Sequence, residues 1–229
     1  MLLLFDVDGT LVSGAADAHR DAMHAALRTV HGVDARAVRG PVAPAGRTDP
    51  EIARVILLDA GVSAERIDDR ADDVREECCR MYAELCPPDL SHTVLAGIPE
   101  LLAWLSEQPG VLLGLLTGNY EPVARLKLAR SGIGKYFRAG LGAFGSDDED
   151  RAALPAIARR RAGTVGSPYP RHKTIVIGDT PRDIACARAD GVGCLAVASG
   201  PFPATELSGA DAVVPEATAL REVLEERLP

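Results

Sequence analysis

Short apolar runs recur near residues 2–6, 111–116, 173–178, 193–197 and 211–214, and helical spacing fills most of the intervals between them. The runs MLLLF, VLLGLL and TIVIG are apolar on both faces, so no polar face is left for solvent. That is the pattern of parallel strands covered by helices on both sides. It predicts an α/β fold with a doubly wound, mostly parallel, Rossmann-like sheet. Residues 17–85 break the alternation: DAHRDAMHAALRTVHG, DPEIARVILLDAG and SAERIDDRADDVREECCRMYAEL all carry helical periodicity, with Gly32 and Gly61 as stops. The expected organisation is a core of residues 1–13 and 91–229, with a smaller α-helical domain, residues 14–90, inserted after the first strand. The prolines and glycine of CPPDLSHTVLAG (86–97) punctuate the return to the core.

Three strand ends carry small polar or acidic residues: Asp6-Val7-Asp8-Gly9-Thr10, Thr117-Gly118-Asn119, and Asp179-Thr180-Pro181-Arg182-Asp183. In open α/β sheets ligands sit outside the carboxyl ends of the strands. Asp6, Asp8, Asp179 and Asp183 crowded at one rim repel one another and lose hydration unless something positive neutralises them. A hard divalent cation with oxygen ligands fits that demand. Mg2+ is usually held by one or two carboxylates together with substrate phosphate, so these acids point to Mg2+ and a phosphoryl group. An aspartate can also attack phosphorus, splitting one difficult displacement into two easier ones. Asp6, at the strand tip, is the expected nucleophile, and Asp8 the acid that protonates the leaving alkoxide and then the base that activates water. Gly9 lets the chain turn with no Cβ in the way.

Composition narrows the partners. The 229 residues are 47% hydrophobic, enough for a sizeable core, and the 22 glycines and 16 prolines are dispersed. A formal charge of −8 argues against general nucleic-acid binding. The basic run Arg159-Arg160-Arg161 is expected on a helix, pointing three ways into solvent. No charged segment leads into an apolar core and cleavage site, and no apolar run approaches the ~20 residues that span a bilayer. Cys78, Cys79, Cys86, Cys186 and Cys194 lack zinc-type spacing and read as reduced thiols. A cytoplasmic protein without membrane or nucleic-acid partners is the expectation. The five histidines show no ligand spacing, His19 and His24 being five apart, and are expected on the surface or in lid packing. Trp104 reads as a helix core anchor.

The stretches FDVDGTLV, LLTGN and VIGDTPRDIACARADGV resemble the first, second and fourth motifs of the haloacid dehalogenase-like superfamily of phosphohydrolases, in order and across the whole core. The helical insert resembles the lid of the branch that includes phosphoglycolate phosphatases, and GRTDPEI (46–52) is similar to a lid segment common there. The resemblance implies a Mg2+-dependent phosphatase with Asp6 as nucleophile and Asp8 as acid/base. It implies metal ligation by the Asp6 carboxylate, the Asp8 backbone carbonyl and Asp179, with Asp183 binding or orienting metal waters. Thr117 and the backbone of Gly118 would hydrogen-bond phosphate oxygens. The family's third motif usually supplies a lysine, often before proline, and this chain has no Lys-Pro. Arg151, in GAFGSDDEDRAALPAIARRRA (142–162), falls where that lysine would and is the favoured replacement, because a guanidinium grips phosphate in a bidentate way. Lys127, on the helix after the second motif, is the other candidate, or else a surface residue.

The expected substrate-binding set is therefore Gly9, Thr10, Thr117, Gly118, Asn119 and Arg151, with Arg47 from the lid. Arg47, Thr48 and Asp49 face the site on closure or simply cap a helix before Glu51. The acids 147–150 are expected to cap the helix that follows them. Asp8 counts against a dehalogenase, and the absence of lysine from residues 14–90 closes a Schiff-base phosphonatase route. A phosphomutase and a catalytically weak regulatory module remain as alternatives. The expected substrate is a small phosphorylated metabolite, phosphoglycolate or a sugar or polyol phosphate. Oligomeric state is not readable from the sequence.

Overall fold

The structure is a computed structural model and describes residues 1–37 and 43–228. Strands β1 (Leu2–Phe5), β2 (Leu112–Thr117), β3 (Gly142–Phe144), β4 (Thr174–Gly178), β5 (Gly193–Val197) and β6 (Ala212–Val214) form one sheet in the order β3-β2-β1-β4-β5-β6. Every pairing is parallel. The winding direction reverses between β1 and β4, which opens a crevice at their carboxyl ends. Phe5 lies level with both Leu115 and Ile177, so the three chains leave the sheet side by side.

Helices α1 (Asp17–His31), α2 (Asp49–Asp59), α3 (Ala64–Asp69) and α4 (Ala71–Leu85) follow β1 as one helical layer. Gly32 ends α1 in the left-handed conformation, its N–H donating to the carbonyl of Arg28, as a glycine C-cap should. The remaining helices are α5 (Ile98–Ser106), α6 (Glu121–Arg130), α7 (Leu154–Ala162), α8 (Pro181–Asp190) and α9 (Leu220–Glu225). Leu3 and Phe5 pack with α5, α6 and α9, whereas Leu2 and Leu4 pack with α7 and α8. Both faces of β1 are therefore dry, which explains its unbroken apolar run. The helical layer has its own core of Met23, Leu27, Ile56, Leu57, Val74 and Tyr82, and that core continues onto Tyr120 and Val123 at the start of α6. This shared packing seats the insert over the carboxyl edge of the sheet.

Two expectations need correction. The edge strand β3 carries no apolar run and was not foreseen, because three residues on an edge need few ladder bonds. Gly142 fits there because a Cβ would lie 2.3 Å from the carbonyl oxygen of Leu115. The run Arg159–Arg161 is not uniformly solvated either. Arg159 is buried, and its Nε and Nη2 donate to the two carboxylate oxygens of Asp190 at 2.6 and 2.9 Å. Arg160 and Arg161 are exposed as expected, Arg161 pairing with Asp147 at the surface.

Breaking a buried pair leaves an uncompensated charge. Arg159→Ala is therefore expected to lower unfolding stability by about 3 kcal/mol in urea denaturation, whereas Arg160→Ala changes nothing measurable. Equal effects of the two would contradict this assignment.

Candidate active site

Asp6 follows directly on β1; its N–H donates to the carbonyl of Ile177 and its carboxylate is buried. β4 ends one residue before Asp179, and α8 begins with a capping box in which Thr180 N–H and Oγ1 donate to Asp183 Oδ2 at 3.0 and 2.7 Å. One oxygen from each of Asp6, Asp179 and Asp183 falls within 4.8 Å of the others. Burial, opposed by Arg151 and reinforced by Asp183, pushes the Asp6 carboxyl up to about 7. Burial, then Asp6 and Asp183, push Asp179 up to about 8. Three oxygens held in repulsion by rigid strand ends and a helix cap are a donor set suited to a hard divalent cation.

Two buried cations touch the acids of this edge, one on the Asp6–Asp183 side and the other on Asp8. Arg151, at a short helical turn before α7, is buried; its Nη2 lies 3.3 Å from Asp6 and donates to Asp183. Its Nε is buried without a partner. Burial would lower its pKa, but Asp183 and Asp6 hold it well above the usual value. Lys127, on α6, has no exposed surface, and its Nζ donates to both carboxylate oxygens of Asp8 at 2.7 Å and to Asn119 Oδ1 at 2.9 Å. Asn119 Nδ2 completes the cage by donating to Asp8 Oδ2 at 3.0 Å. Burial alone would raise Asp8, yet Lys127, His19 and Asn119 hold it below the usual carboxylate range. So the surface alternative for Lys127 does not hold. Arg151 and Lys127 both reach the site, on different acids.

A cavity of about 450 Å³ lies over this edge and is lined by Asp6, Asp8, Gly9, Thr117, Gly118, Asn119, Arg151, Asp179 and Arg47, among others. Thr10 is not among its lining residues; its Oγ1 donates to Asp179 Oδ1 at 3.0 Å, which props the carboxylate from behind. The Asn119 amide is committed to Asp8 and Lys127. Arg47 lines the cavity but pairs with Glu51 and donates to the carbonyl of Ala43. Glycines make the close approaches possible. At Gly9 (φ 87°) a Cβ would lie 2.2 Å from Asp179 Oδ2, and at Gly118 it would lie 2.0 Å from the carbonyl oxygen of Arg47.

Contacts between the helical layer and the strand ends were invisible in the sequence. Thr48 caps α2, accepting from Glu51 N–H, and its hydroxyl donates to the carbonyl of Glu149. Asp49 N–H donates to the Gly118 carbonyl, and Asp49 Oδ2 accepts from Tyr120 N–H at 2.7 Å. The same Oδ2 lies 3.0 Å from His19 Nε2. His19 also lines the cavity and meets the Tyr82 ring edge-on. Asp49 thus clamps α1, α2 and the loop after β2 at one point. The only advance signal was an acid and a histidine on two separate helices, with nothing local to join them.

An acid-rimmed cavity at the switch point of a doubly wound parallel sheet, roofed by an inserted helical layer, is the site of an α/β enzyme whose carboxylates suit a hard cation and an anionic oxygen substrate. The profile of the haloacid dehalogenase-like hydrolases matches residues 3–188, and the chain belongs to that family. It is 32% identical over 207 residues to the phosphoglycolate phosphatase of Pseudomonas fluorescens Pf-5, covering 87% of this chain and 70% of that one. The phosphoglycolate phosphatase of Pseudomonas syringae pv. tomato DC3000 is 31% identical with the same coverage. Among solved structures, a hydrolase from Pseudomonas syringae superposes with a TM-score of 0.66 at 22% identity over 99% of both chains. A β-phosphoglucomutase from Clostridium difficile gives 0.69 at 18% over 99% of this chain and 96% of that one, a likeness of fold. No helix among the described residues is long and apolar enough to cross a membrane.

Proposed function

We propose that the chain is a Mg2+-dependent phosphatase that hydrolyses a small phosphomonoester through a phosphorylated Asp6. The observation that carries this reading is the separation of the acids into two charge environments. Asp6, Asp179 and Asp183 share one group with Arg151, while Asp8 is held apart by Lys127 and Asn119. Mg2+ would be held by the carboxylates of Asp6 and Asp179, with Asp183 and the Asp8 backbone carbonyl in support, and would supply charge neutralisation where phosphate meets carboxylate.

The chemistry then follows from this chain's own side chains. An Asp6 oxygen attacks phosphorus, the P–O bond to the alcohol breaks, and Asp8 passes to the departing alkoxide the proton that the ester monoanion brought with it. In the second half Asp8 takes a proton from water, the water oxygen bonds phosphorus and the Asp6–phosphorus bond breaks; the proton leaves with the phosphate, which returns Asp8 to the carboxylate. Thr117 and the backbone of Gly118 bind the phosphoryl oxygens, and Arg151 balances the charge on Asp6 as phosphate arrives. Such catalysis rests mainly on positioning and electrostatics. Two expected roles change on this reading. Thr10 positions Asp179, and Asn119 positions Asp8, in place of binding substrate. The Lys127 cage favours Asp8 as a carboxylate, the form that accepts the proton from water.

We assign residues 14–90 as a cap and residues 1–13 and 91–229 as the catalytic core. The relatives' activity makes phosphoglycolate the first substrate to test, with sugar and polyol phosphates next, and the five free cysteines suit a cytoplasmic enzyme.

Hydrolysis of p-nitrophenyl phosphate should require added Mg2+, vanish in EDTA, return when Mg2+ is restored, and be lost in Asp6→Asn. Metal-independent turnover, or a fully active Asp6→Asn, would overturn the reading. Lys127→Met should lower turnover of alkyl phosphates and of p-nitrophenyl phosphate alike, by about 100-fold, because Asp8 then loses the charge that keeps it a carboxylate for the hydrolytic step both esters share. A loss confined to the alkyl esters would show that Lys127 serves the departure of the alcohol instead.

A further inference from the structure

The cap side of the cavity is chemically unlike its floor. Val12, Ala15, Met23, Ile52 and Ile56 line it, and all but Ile52 are almost fully buried. The charged groups beside them are already matched. Arg47 pairs with Glu51, Arg20 pairs with the exposed Asp17 at 2.9 Å, and His19 is held by Asp49. His24 also lines the cavity; burial, with Arg36 nearby, lowers its pKa, so at neutral pH it presents an uncharged imidazole. Its Nδ1 is buried with no hydrogen-bond partner. Among the described residues, then, no unpaired cation on this wall stands ready to receive a second anionic group.

The size of the space points the same way. At about 450 Å³ the cavity lies in the range that holds drug-sized ligands, well beyond what a two-carbon acid phosphate fills. A carboxylate pushed onto this wall would lose water and meet apolar side chains, or would have to displace Glu51 or Asp17 from its arginine. An uncharged carbon body would release water from the same surface at no such cost.

Resting on the phosphatase reading above, we propose that the substrate is the phosphate monoester of an uncharged alcohol of more than two carbons, its carbon body on Val12, Ala15, Met23, Ile52 and Ile56 and a hydroxyl group for His24.

The test is a kcat/KM series with Mg2+ on phosphoglycolate, glycerol 3-phosphate, n-alkyl phosphates of two to six carbons and 6-hydroxyhexyl phosphate. The expected result is a rise of about fourfold per methylene along the alkyl series, a further gain for the hydroxyhexyl ester, and phosphoglycolate at least tenfold below it. Ile52→Arg, at the half-buried member of the wall, should shift the ratio toward phosphoglycolate by about tenfold. A flat or falling alkyl series, or phosphoglycolate preferred by the wild type, would overturn the proposal. Binding of the same esters to Asp6→Asn, measured by calorimetry, reads the wall without turnover. The same rank order there, with an inert wild type, would support the wall and overturn only the phosphatase reading; a preference for phosphoglycolate there would overturn the wall itself.

Discussion

The constraint on which the structure depends is the repulsion among carboxylates forced together where β1 and β4 leave the sheet. A parallel sheet delivers its strand ends to one edge, and this chain puts an acid at each of the two central ends and another in the first turn of the helix that follows. Little of their surface meets water there, because the strand ends, the first turn of α8 and the helical layer bury all three. Everything around them supplies positive charge or hydrogen-bond donors: Arg151 between Asp6 and Asp183, the Thr180 cap on Asp183, and Thr10 behind Asp179. The compensation remains incomplete, since Asp6 and Asp179 are still displaced toward the protonated form. On the proposed function a divalent cation would complete it.

The division of labour between two cations gives this chain its own character. One lysine near a nucleophile would serve phosphate and acid alike. Here the guanidinium takes the Asp6 side of the site and the ammonium takes Asp8, with Asn119 bridging the two partners of the second pair. The Asp8 side chain stays 38% exposed, turned to the cavity, while Lys127 beneath it is fully enclosed. That arrangement fixes the carboxylate from below and leaves its other face open to the cavity, as the proposed acid/base role requires.

Much of this was legible in the sequence because it is local. Asp6, Asp8, Asp179 and Asp183 could be placed from apolar runs that end in acids, whereas Arg151 followed from the family resemblance, standing where a third-motif lysine would fall. The helical insert followed from periodicity and its glycine stops. Lys127 and Arg159 were harder, although each held a readable clue. In EPVARLKLAR the buried residues are Val123, Ala124, Lys127 and Leu128, and in LPAIARRRA they are Leu154, Pro155, Ala158 and Arg159. A basic residue at the spacing of an apolar face signals a buried partner, but it does not say which acid. The clamp of Asp49 on His19 and Tyr120 joins residues 30 and 71 positions apart and had no local signature. β3 was too short to leave one.

The most direct measurement of the central claim is thermal unfolding against Mg2+ concentration in the wild type and in Asp179→Asn. A cation that relieves carboxylate repulsion binds the folded state alone, so the wild-type Tm should climb steadily with Mg2+, and removing one of the crowded charges should flatten that climb. A wild-type Tm indifferent to Mg2+, or an equal climb in the variant, would contradict the account.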